Sequence, residues 1–296
     1  MKISLGPIPY LWERSRVFDF YARAAEAPVD IVYLGETVCS KRRAMRLPDW
    51  LDIAARLTAA GKEAVLSTLT LIEAESEASY LRTIIENGRY TVEANDMAAI
   101  NMLAGVAPFI VGPHVNVYNS RALELMARIG ARRWVMPMEL DRETLAALQS
   151  SRSANLETEV FVFGRLPLSF SARCFTARAH NLPKDECGFR CADYPEGMPM
   201  QTREGQSFLN LNGIQVQSGE TYNLVNEIGE LRALKVDILR LSPQPEGMFE
   251  IIDAFRHVMD GQLESSAAAG SIAPHQTAGF CDGYWHGAPG MHRVHV

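Results

Sequence analysis

Long apolar runs and lysine are both scarce in this chain of 296 residues. No apolar run reaches the roughly 18–20 residues that a membrane-spanning helix needs. Charges enter the N-terminal segment MKISLGPIPYLWER before a signal-like apolar stretch develops, so we expect a cytoplasmic protein without an integral membrane segment. Basic residues are almost all arginine, and the net charge is −6. This balance argues against a nucleic-acid partner, because phosphate binding needs basic surface.

Several common catalytic and phosphate-binding motifs are also missing. Neither G-x-G-x-x-G nor G-x-x-x-x-G-K-[ST] occurs, which argues against a doubly wound nucleotide-binding domain. The hydrolase motifs H-E-x-x-H and G-x-S-x-G are absent as well. The chain has five cysteines, too few for the disulfide framework of a small secreted domain, so metal binding, redox chemistry or inert burial remain.

Short apolar runs alternate with amphipathic helical runs along most of the chain. Several of these runs are nearly continuous in apolar residues, as expected for strands that are buried on both faces. The predicted strands cover 2–8, 30–36, 63–70, 90–96, 109–117, 132–138, 159–165 and 236–242. Clear helical patterns cover 73–88, 120–130 and 248–259. Eight such units in one chain of this length predict an α/β fold with a single (β/α)₈ TIM-type barrel over residues 1–296.

Two segments depart from this regular alternation. The seventh and eighth strands are much farther apart in sequence than the others, so residues 171–223 are predicted to be an insertion between them. Within it, SFLNLNGIQVQSG predicts a β-hairpin that turns near Asn212-Gly213. Residues 271–296 are predicted to form an extended tail, whose aromatic residues either pack on the barrel or anchor an interface. These aromatic residues are Phe280, Tyr284 and Trp285.

The cysteines carry the strongest chemical signal. Cys174, Cys187 and Cys191 lie within the insertion, and Cys39 follows the second strand; in a barrel both loops open onto the face that carries active sites. Four thiolates suit zinc or an iron–sulfur cluster. Structural zinc sites usually have two short C-x₂₋₄-C pairs, whereas here there is one, which favours a cluster without excluding zinc. Cys281 is predicted to be buried and inert.

Other polar residues fall near the predicted C-terminal ends of the strands, where barrel enzymes place their working groups. The candidate acid–base groups are His114, Glu36 and Asp96, each of which could instead be a buried structural residue, a salt-bridge partner or a helix cap. Arginine can bind carboxylates through two parallel hydrogen bonds. The candidate carboxylate-binding residues are Arg43, Arg173, Arg178 and Arg240.

Four segments resemble the peptidase U32 family. They are EVFVFG at 159–164 followed by SARC at 171–174, GETVCSKRR at 35–43, CGFRC at 187–191 and GYWHG at 283–287. The resemblance covers essentially the whole chain. Within the family, the chain most resembles the UbiV branch, whose members act in oxygen-independent ubiquinone biosynthesis. The chain departs from the general U32 signature, because Arg165-Leu-Pro-Leu stands where that signature has a cysteine. The departure argues against proteolysis and against the RNA-hydroxylating branches.

The resemblance implies a specific cofactor, partner and reaction. The cofactor is a [4Fe–4S] cluster on Cys39, Cys174, Cys187 and Cys191, and the partner is a UbiU-like paralogue in a heterodimer. The implied reaction hydroxylates a ubiquinone precursor without O₂, with prephenate as the oxygen donor and the four candidate arginines as ligands for its carboxylates. Two alternatives stay open: an RNA-hydroxylating U32 enzyme, and a non-catalytic scaffold whose cluster is structural.

Overall fold

A computed structural model describes residues 1–276 and 278–294 of the chain. Eight parallel strands in it close into a barrel, which confirms the predicted (β/α)₈ fold. The barrel strands are β1 (Lys2–Leu5), β2 (Ile31–Leu34), β3 (Glu63–Ser67), β4 (Thr91–Ala94), β5 (Phe109–Val111), β6 (Ala131–Val135), β7 (Glu157–Phe170) and, later in the chain, β11 (Ile238–Leu241). The intervening strands are β8 (Met198–Gln201), β9 (Ser207–Asn212) and β10 (Gln215–Asn223), and β12 (Phe280–Cys281) lies near the C-terminus.

Strand β11 closes the barrel between β1 and β7. Its register pairs Ile238 with Lys2 on one side and with Glu159 on the other, and both pairings are parallel. The strands lie where the apolar runs predicted them, because both faces of a barrel strand are buried. Alternate residues point into the barrel, where one buried cluster forms. Its members are Ile31, Tyr33, Val65, Ile110, Val135 and Ile238.

Helices cover the outside of the barrel, and their apolar faces pack on the strands. They are α1 (Arg14–Glu26), α2 (Leu47–Ala59), α3 (Glu75–Ile85), α4 (Met97–Leu103), α5 (Ser120–Arg128), α6 (Arg142–Ser151), α7 (Phe175–Ala179), α8 (Ile228–Ala233), α9 (Met248–Met259) and α10 (Ser265–Ile272). The three helices predicted from sequence correspond to α3, α5 and α9. In the part of the chain that the structure describes, no helix is both long enough and apolar enough to cross a membrane.

The insertion adds a small antiparallel sheet to the barrel. Strand β7 was predicted to end at residue 165, but it continues to Phe170 and pairs there with β10, Phe170 opposite Gln215. Strands β9 and β10 form the predicted hairpin, with Asn212 opposite Gln215 around a two-residue turn, and β8 pairs with the free side of β9. The extra sheet therefore grows directly from the seventh barrel strand.

The C-terminal segment differs from the extended tail that the sequence predicted. Helix α10 continues to Ile272, and β12 pairs with β10, Phe280 opposite Thr221. Trp285 is completely buried, and its Nε1 donates a hydrogen bond to Glu230 Oε2 over 2.9 Å. This segment thus packs on its own barrel. Residues 277, 295 and 296 of the predicted tail lie outside the described residues.

A candidate cysteine centre beside a polar cavity

The loop that carries Cys39 leaves the barrel at the end of β2. Gly35 has φ +133°, and a Cβ there would lie 2.5 Å from the carbonyl oxygen of Ser67, so only glycine fits this exit. The Glu36 carboxylate accepts hydrogen bonds from the backbone N–H groups of Val38, at 2.8 Å, and of Cys39, at 3.0 Å. Glu36 therefore fixes the turn that presents Cys39.

Cys174 stands immediately before α7 and is held by the hairpin of the insertion. Its sulfur accepts a hydrogen bond from the backbone N–H of Ala177 over 3.4 Å. The next residue, Phe175, donates its N–H to Gly213 O at 2.8 Å, and the N–H of Gly213 returns a bond to Thr176 Oγ1 at 3.0 Å. These two bonds fix Cys174 relative to the β9–β10 turn.

The remaining two cysteines flank a tight turn of the insertion. Cys187 follows a short 3₁₀ turn at Lys184–Glu186, and Cys191 lies in a second one at Arg190–Asp193. Between them the chain passes through left-handed backbone at Gly188 and at Phe189, where φ is +54°. Asp185 Oδ1 lies 2.5 Å from Lys41 Nζ, which ties this turn to the Cys39 loop.

Cys39, Cys174, Cys187 and Cys191 are half-buried free thiols. Burial raises the pKa values of Cys39 and Cys191, and the sulfur of Cys174 contributes to the rise in both. The Lys41 ammonium, whose pKa is raised first by its bond to Asp185, also interacts with the charges of Cys39 and Cys187. The loop after β2 and the loop after β7 therefore meet as the barrel topology predicted.

The metal group that these cysteines could hold depends on the distances between their sulfur atoms. Within residues 1–276 and 278–294, no three His, Cys, Asp or Glu side chains lie close enough to bind one metal ion together. A multinuclear iron–sulfur cluster needs a wider arrangement, because each thiolate binds a different iron atom. The donor set of four thiols is chemically suited to such a cluster, as it is to a single zinc ion.

A polar cavity opens beside the cysteines, at the C-terminal mouth of the barrel. Its empty volume, including the open entrance, is about 490 Å³. Phe161, Met138 and several prolines form its apolar walls. Its polar lining residues are Thr37, Glu93, Asn95, His114, Arg165, Gln215, Gln217, Arg240 and Ser242.

Arg240 is the strongest candidate for ligand binding in this cavity. It is buried, its Nε donates to Glu159 Oε1 at 2.6 Å, and its Nη1 lies 2.7 Å from Glu93 Oε1. The guanidinium also stacks 4.0 Å from the ring centre of Tyr33. Among the described residues, neither Arg240 Nη2 nor the neighbouring Asn95 Oδ1 has a hydrogen-bond partner. Both residues line the cavity, so each has an unpaired polar atom close to its wall.

His114 lies in the same cavity, with its ring centre 4.8 Å from that of Phe170 in an edge-to-face contact. Burial, together with the positive charge of Arg240, lowers its pKa from 6.5 to about 3. The imidazole is therefore neutral at physiological pH. In that form it can donate one hydrogen bond and accept another, but it cannot serve as a cation.

The other predicted site residues lie apart from this cavity. Asp96 caps α4, where its Oδ1 accepts the backbone N–H of Ala98 at 2.6 Å. Arg43, Arg173 and Arg178 are exposed and do not line the cavity. Cys281 is fully buried, as predicted, and burial raises the pKa of its thiol to about 12.

Sequence reasoning missed four charged residues of this region. Glu93 lies within an apolar strand pattern and Glu159 at the start of another, and an acid in such a pattern signals an inward-facing charge. Arg165 lies at the departure from the U32 signature noted above, and it donates hydrogen bonds to the carbonyl oxygens of Ser218 and Gly219. Arg42 is one of three consecutive basic residues, and nothing in that run indicates which one is buried.

Comparison with known proteins places the chain in a family. The family model for peptidase family U32 matches residues 18–294. A solved U32 peptidase, Mk0906, has 12% identity and a TM-score of 0.46, covering 82% of this chain and 93% of its own. The HPPK-DHPS protein of Plasmodium falciparum has 10% identity and a TM-score of 0.45, covering 88% of this chain and 47% of its own. The Bacillus cereus spore cortex-lytic enzyme SleL has 13% identity and a TM-score of 0.40, covering 86% and 74%. On the extent of the family match, the chain belongs to peptidase family U32.

Proposed function

We propose that this U32 protein belongs to the UbiV branch and carries a [4Fe–4S] cluster on Cys39, Cys174, Cys187 and Cys191. It acts as a subunit of an oxygen-independent hydroxylation system for ubiquinone biosynthesis, together with a UbiU-like paralogue. Prephenate is the oxygen donor and a ubiquinone precursor is the acceptor. When bound, the cluster supplies one-electron redox chemistry at the barrel mouth.

The observation that carries this proposal is the contact between the two loops that bear the four free thiols. Cys39 comes from the loop after β2, and the other three come from the insertion after β7. Two long-range links support the arrangement: the Lys41–Asp185 ion pair and the bonds that join the start of α7 to Gly213. Scattered structural cysteines would not need such links between their loops.

The cavity supports a carboxylate-bearing, ring-shaped substrate. The free N–H of Arg240 suits a carboxylate oxygen, and the unpartnered Asn95 Oδ1 suits a hydroxyl or a carboxylic acid proton. Phe161, Met138 and the prolines offer an apolar surface to a ring. We therefore propose Arg240, with Arg165 at the cavity wall, as the donor-binding arginine in place of the exposed Arg43, Arg173 and Arg178.

Metal and sulfide analysis of anaerobically purified protein tests the cofactor. We expect brown protein with about four iron atoms and about four sulfides per chain. Cys174→Ala should lose most of the iron, whereas Cys281→Ala is the matched control and should retain it, because its thiol is buried away from the other four. Colourless protein with stoichiometric zinc would contradict the cluster, and equal iron loss in Cys281→Ala would contradict the choice of ligands.

An anaerobically grown deletion strain tests the reaction. We expect it to lack ubiquinone and to accumulate a less hydroxylated precursor. The wild-type gene should restore the quinone and the Cys174→Ala variant should not. Normal quinone together with missing RNA hydroxylation would instead support the RNA-hydroxylating alternative. Restoration by a cluster-free variant would show that the cluster has no essential role in the reaction.

A further inference from the structure

A buried arginine lies near Cys39 and Cys191. The Arg42 side chain is 2% exposed, although it stands between Lys41 and Arg43 at the barrel mouth. Its Nη1 donates to Pro9 O at 2.7 Å, and its Nη2 donates to Asn212 Oδ1 at 2.6 Å. These bonds join the Cys39 loop to the N-terminal segment and to the hairpin, so the position of the guanidinium is fixed from three sides.

The backbone N–H of Arg42 donates to Cys39 O at 3.0 Å, and its guanidinium is close to the Cys191 and Cys39 sulfurs. It interacts with Cys191 through charge and a hydrogen bond and with Cys39 through charge, and it opposes the rise that burial causes in both pKa values. Among the described residues, Arg42 Nε has no hydrogen-bond partner within the protein. The carboxylate of Glu36 is the charge that partly compensates Arg42, at 3.7 Å from Nη1.

We propose that Arg42 sets the reduction potential of the cluster by stabilising its reduced state. The inference rests on the proposed cluster. Each electron that enters the cluster adds one negative charge, and a fixed cation at a poorly hydrated position favours that state. Net charge and hydrogen bonds to the sulfurs are the protein's main means of tuning such clusters. Arg42 supplies both, whereas Glu36 acts in the opposite direction.

Three variants separate the charge of Arg42 from its structural role. Arg42→Gln removes the positive charge. Arg42→Lys keeps the charge but loses the planar guanidinium group with its several N–H donors. Glu36→Gln removes the opposing charge and keeps an oxygen that can accept the N–H groups of Val38 and Cys39. Arg43→Gln is the matched control, since it removes the same charge from the exposed neighbouring position.

The experiment is a redox titration of anaerobically purified protein, followed by electron paramagnetic resonance and normalised to iron content. For Arg42→Gln we expect the ratio of reduced to oxidised cluster at a fixed potential to fall about tenfold, a shift of about 59 mV to lower potential for one electron. Arg42→Lys should stay near the wild type, Glu36→Gln should shift to higher potential, and Arg43→Gln should shift much less than Arg42→Gln.

The outcomes distinguish this inference from the proposed function. If Arg42→Gln does not fold, the opposite shift in Glu36→Gln still carries the test. A loaded cluster whose potential is the same in all variants, or shifts in one direction for both Arg42→Gln and Glu36→Gln, would overturn the role of Arg42 alone. Wild-type protein without iron would overturn the proposed function and this inference with it.

Discussion

Charged side chains inside the barrel hold Arg240 in place at its mouth. Glu159 accepts hydrogen bonds from Ser4, from Arg240 and from Tyr33, and the hydroxyl of Tyr33 accepts one from Arg133. Burial would raise the pKa of Glu159, but Arg240 and Arg133 outweigh it and the pKa is lowered. Because breaking such a buried pair leaves an uncompensated charge, the network keeps Arg240 rigid. A rigid donor binds a carboxylate without having to be ordered first.

The low pKa of His114 predicts an acid-sensitive contribution to stability. Its folded-state pKa, about 3, is below the unfolded value of 6.5. The unfolded chain therefore binds the proton more tightly, and the stability that neutral His114 contributes is present above pH 6.5 and lost as pH falls towards 3. Between about pH 7.5 and about pH 4.5, the free energy of unfolding should fall by about 3 kcal/mol less in His114→Gln than in the wild type.

Urea unfolding of both proteins across this pH range measures the difference. Other groups titrate equally in the two proteins, so the comparison isolates His114. Parallel curves for the wild type and His114→Gln would show that the imidazole is not held neutral by its surroundings.

At the scale of the secondary-structure elements, the sequence predicted what depends on local pattern. The eight barrel strands were found because apolar runs mark strands that are buried on both faces, and the hairpin was found because Asn212-Gly213 suits a tight turn. The extension of β7 to Phe170 was missed, because Arg165 and Pro167 resemble a loop and the pairing partner lies 45 or more residues later. Helix α10 was not predicted, because its sequence SSAAAGSI has almost no difference between an apolar and a polar face.

The residues of the candidate site also divide into those that the sequence pattern predicts and those that depend on distant contacts. The contact between the loops that carry the cysteines could be predicted, because both loops leave the barrel at the same face. That the four thiols hold one cofactor stays a prediction. The burial of Arg42 and the pairing of Glu93 with Arg240 could not be predicted, because each depends on a contact between strands or loops far apart in sequence. Arg43, Arg173 and Arg178 match the expected residue type, yet they lie on the surface.

The β9–β10 turn positions both Cys174 and Arg42, which leads to a prediction at Gly213. This glycine has φ +67°, and an added Cβ would lie 3.0 Å from Arg42 Nη2. Gly205 has a similar φ of +80° with no neighbour within 4 Å, so Gly205→Ala is a matched control. Left-handed backbone should cost each alanine variant about 1 kcal/mol in the free energy of unfolding. Only Gly213→Ala should also lower iron content, because it displaces Arg42.

Thermal unfolding and iron analysis of the two variants check this prediction. Equal iron content in Gly213→Ala and Gly205→Ala would show that the contact between the turn and Arg42 does not matter for the cluster.

At the scale of the whole molecule, the question is which surface meets the proposed paralogue. The C-terminal segment around Trp285 is a poor candidate for this interface, because the Trp285 side chain is fully buried against its own barrel. The insertion and the adjoining end of β7 instead expose three large apolar side chains: Leu168 is 38% exposed, Phe208 40% and Phe189 48%. Large exposed apolar residues concentrated on one added segment are candidates for an interaction surface. The insertion is therefore the surface that we expect to contact the UbiU-like partner.

We predict that the chain aggregates when expressed alone and forms a stable heterodimer when co-expressed with its paralogue. Phe208→Ser should weaken the heterodimer at least tenfold, about 1.4 kcal/mol, while leaving the thermal stability of the chain almost unchanged, since the side chain is already partly in water. Trp285→Ala is the contrasting variant: it should cost about 3–5 kcal/mol of folding free energy by leaving a large cavity. Size-exclusion chromatography and calorimetry measure both effects. A cluster-loaded monomer that stays soluble and ignores the paralogue at micromolar concentration would refute the obligate partner, and the cysteine centre would remain as proposed.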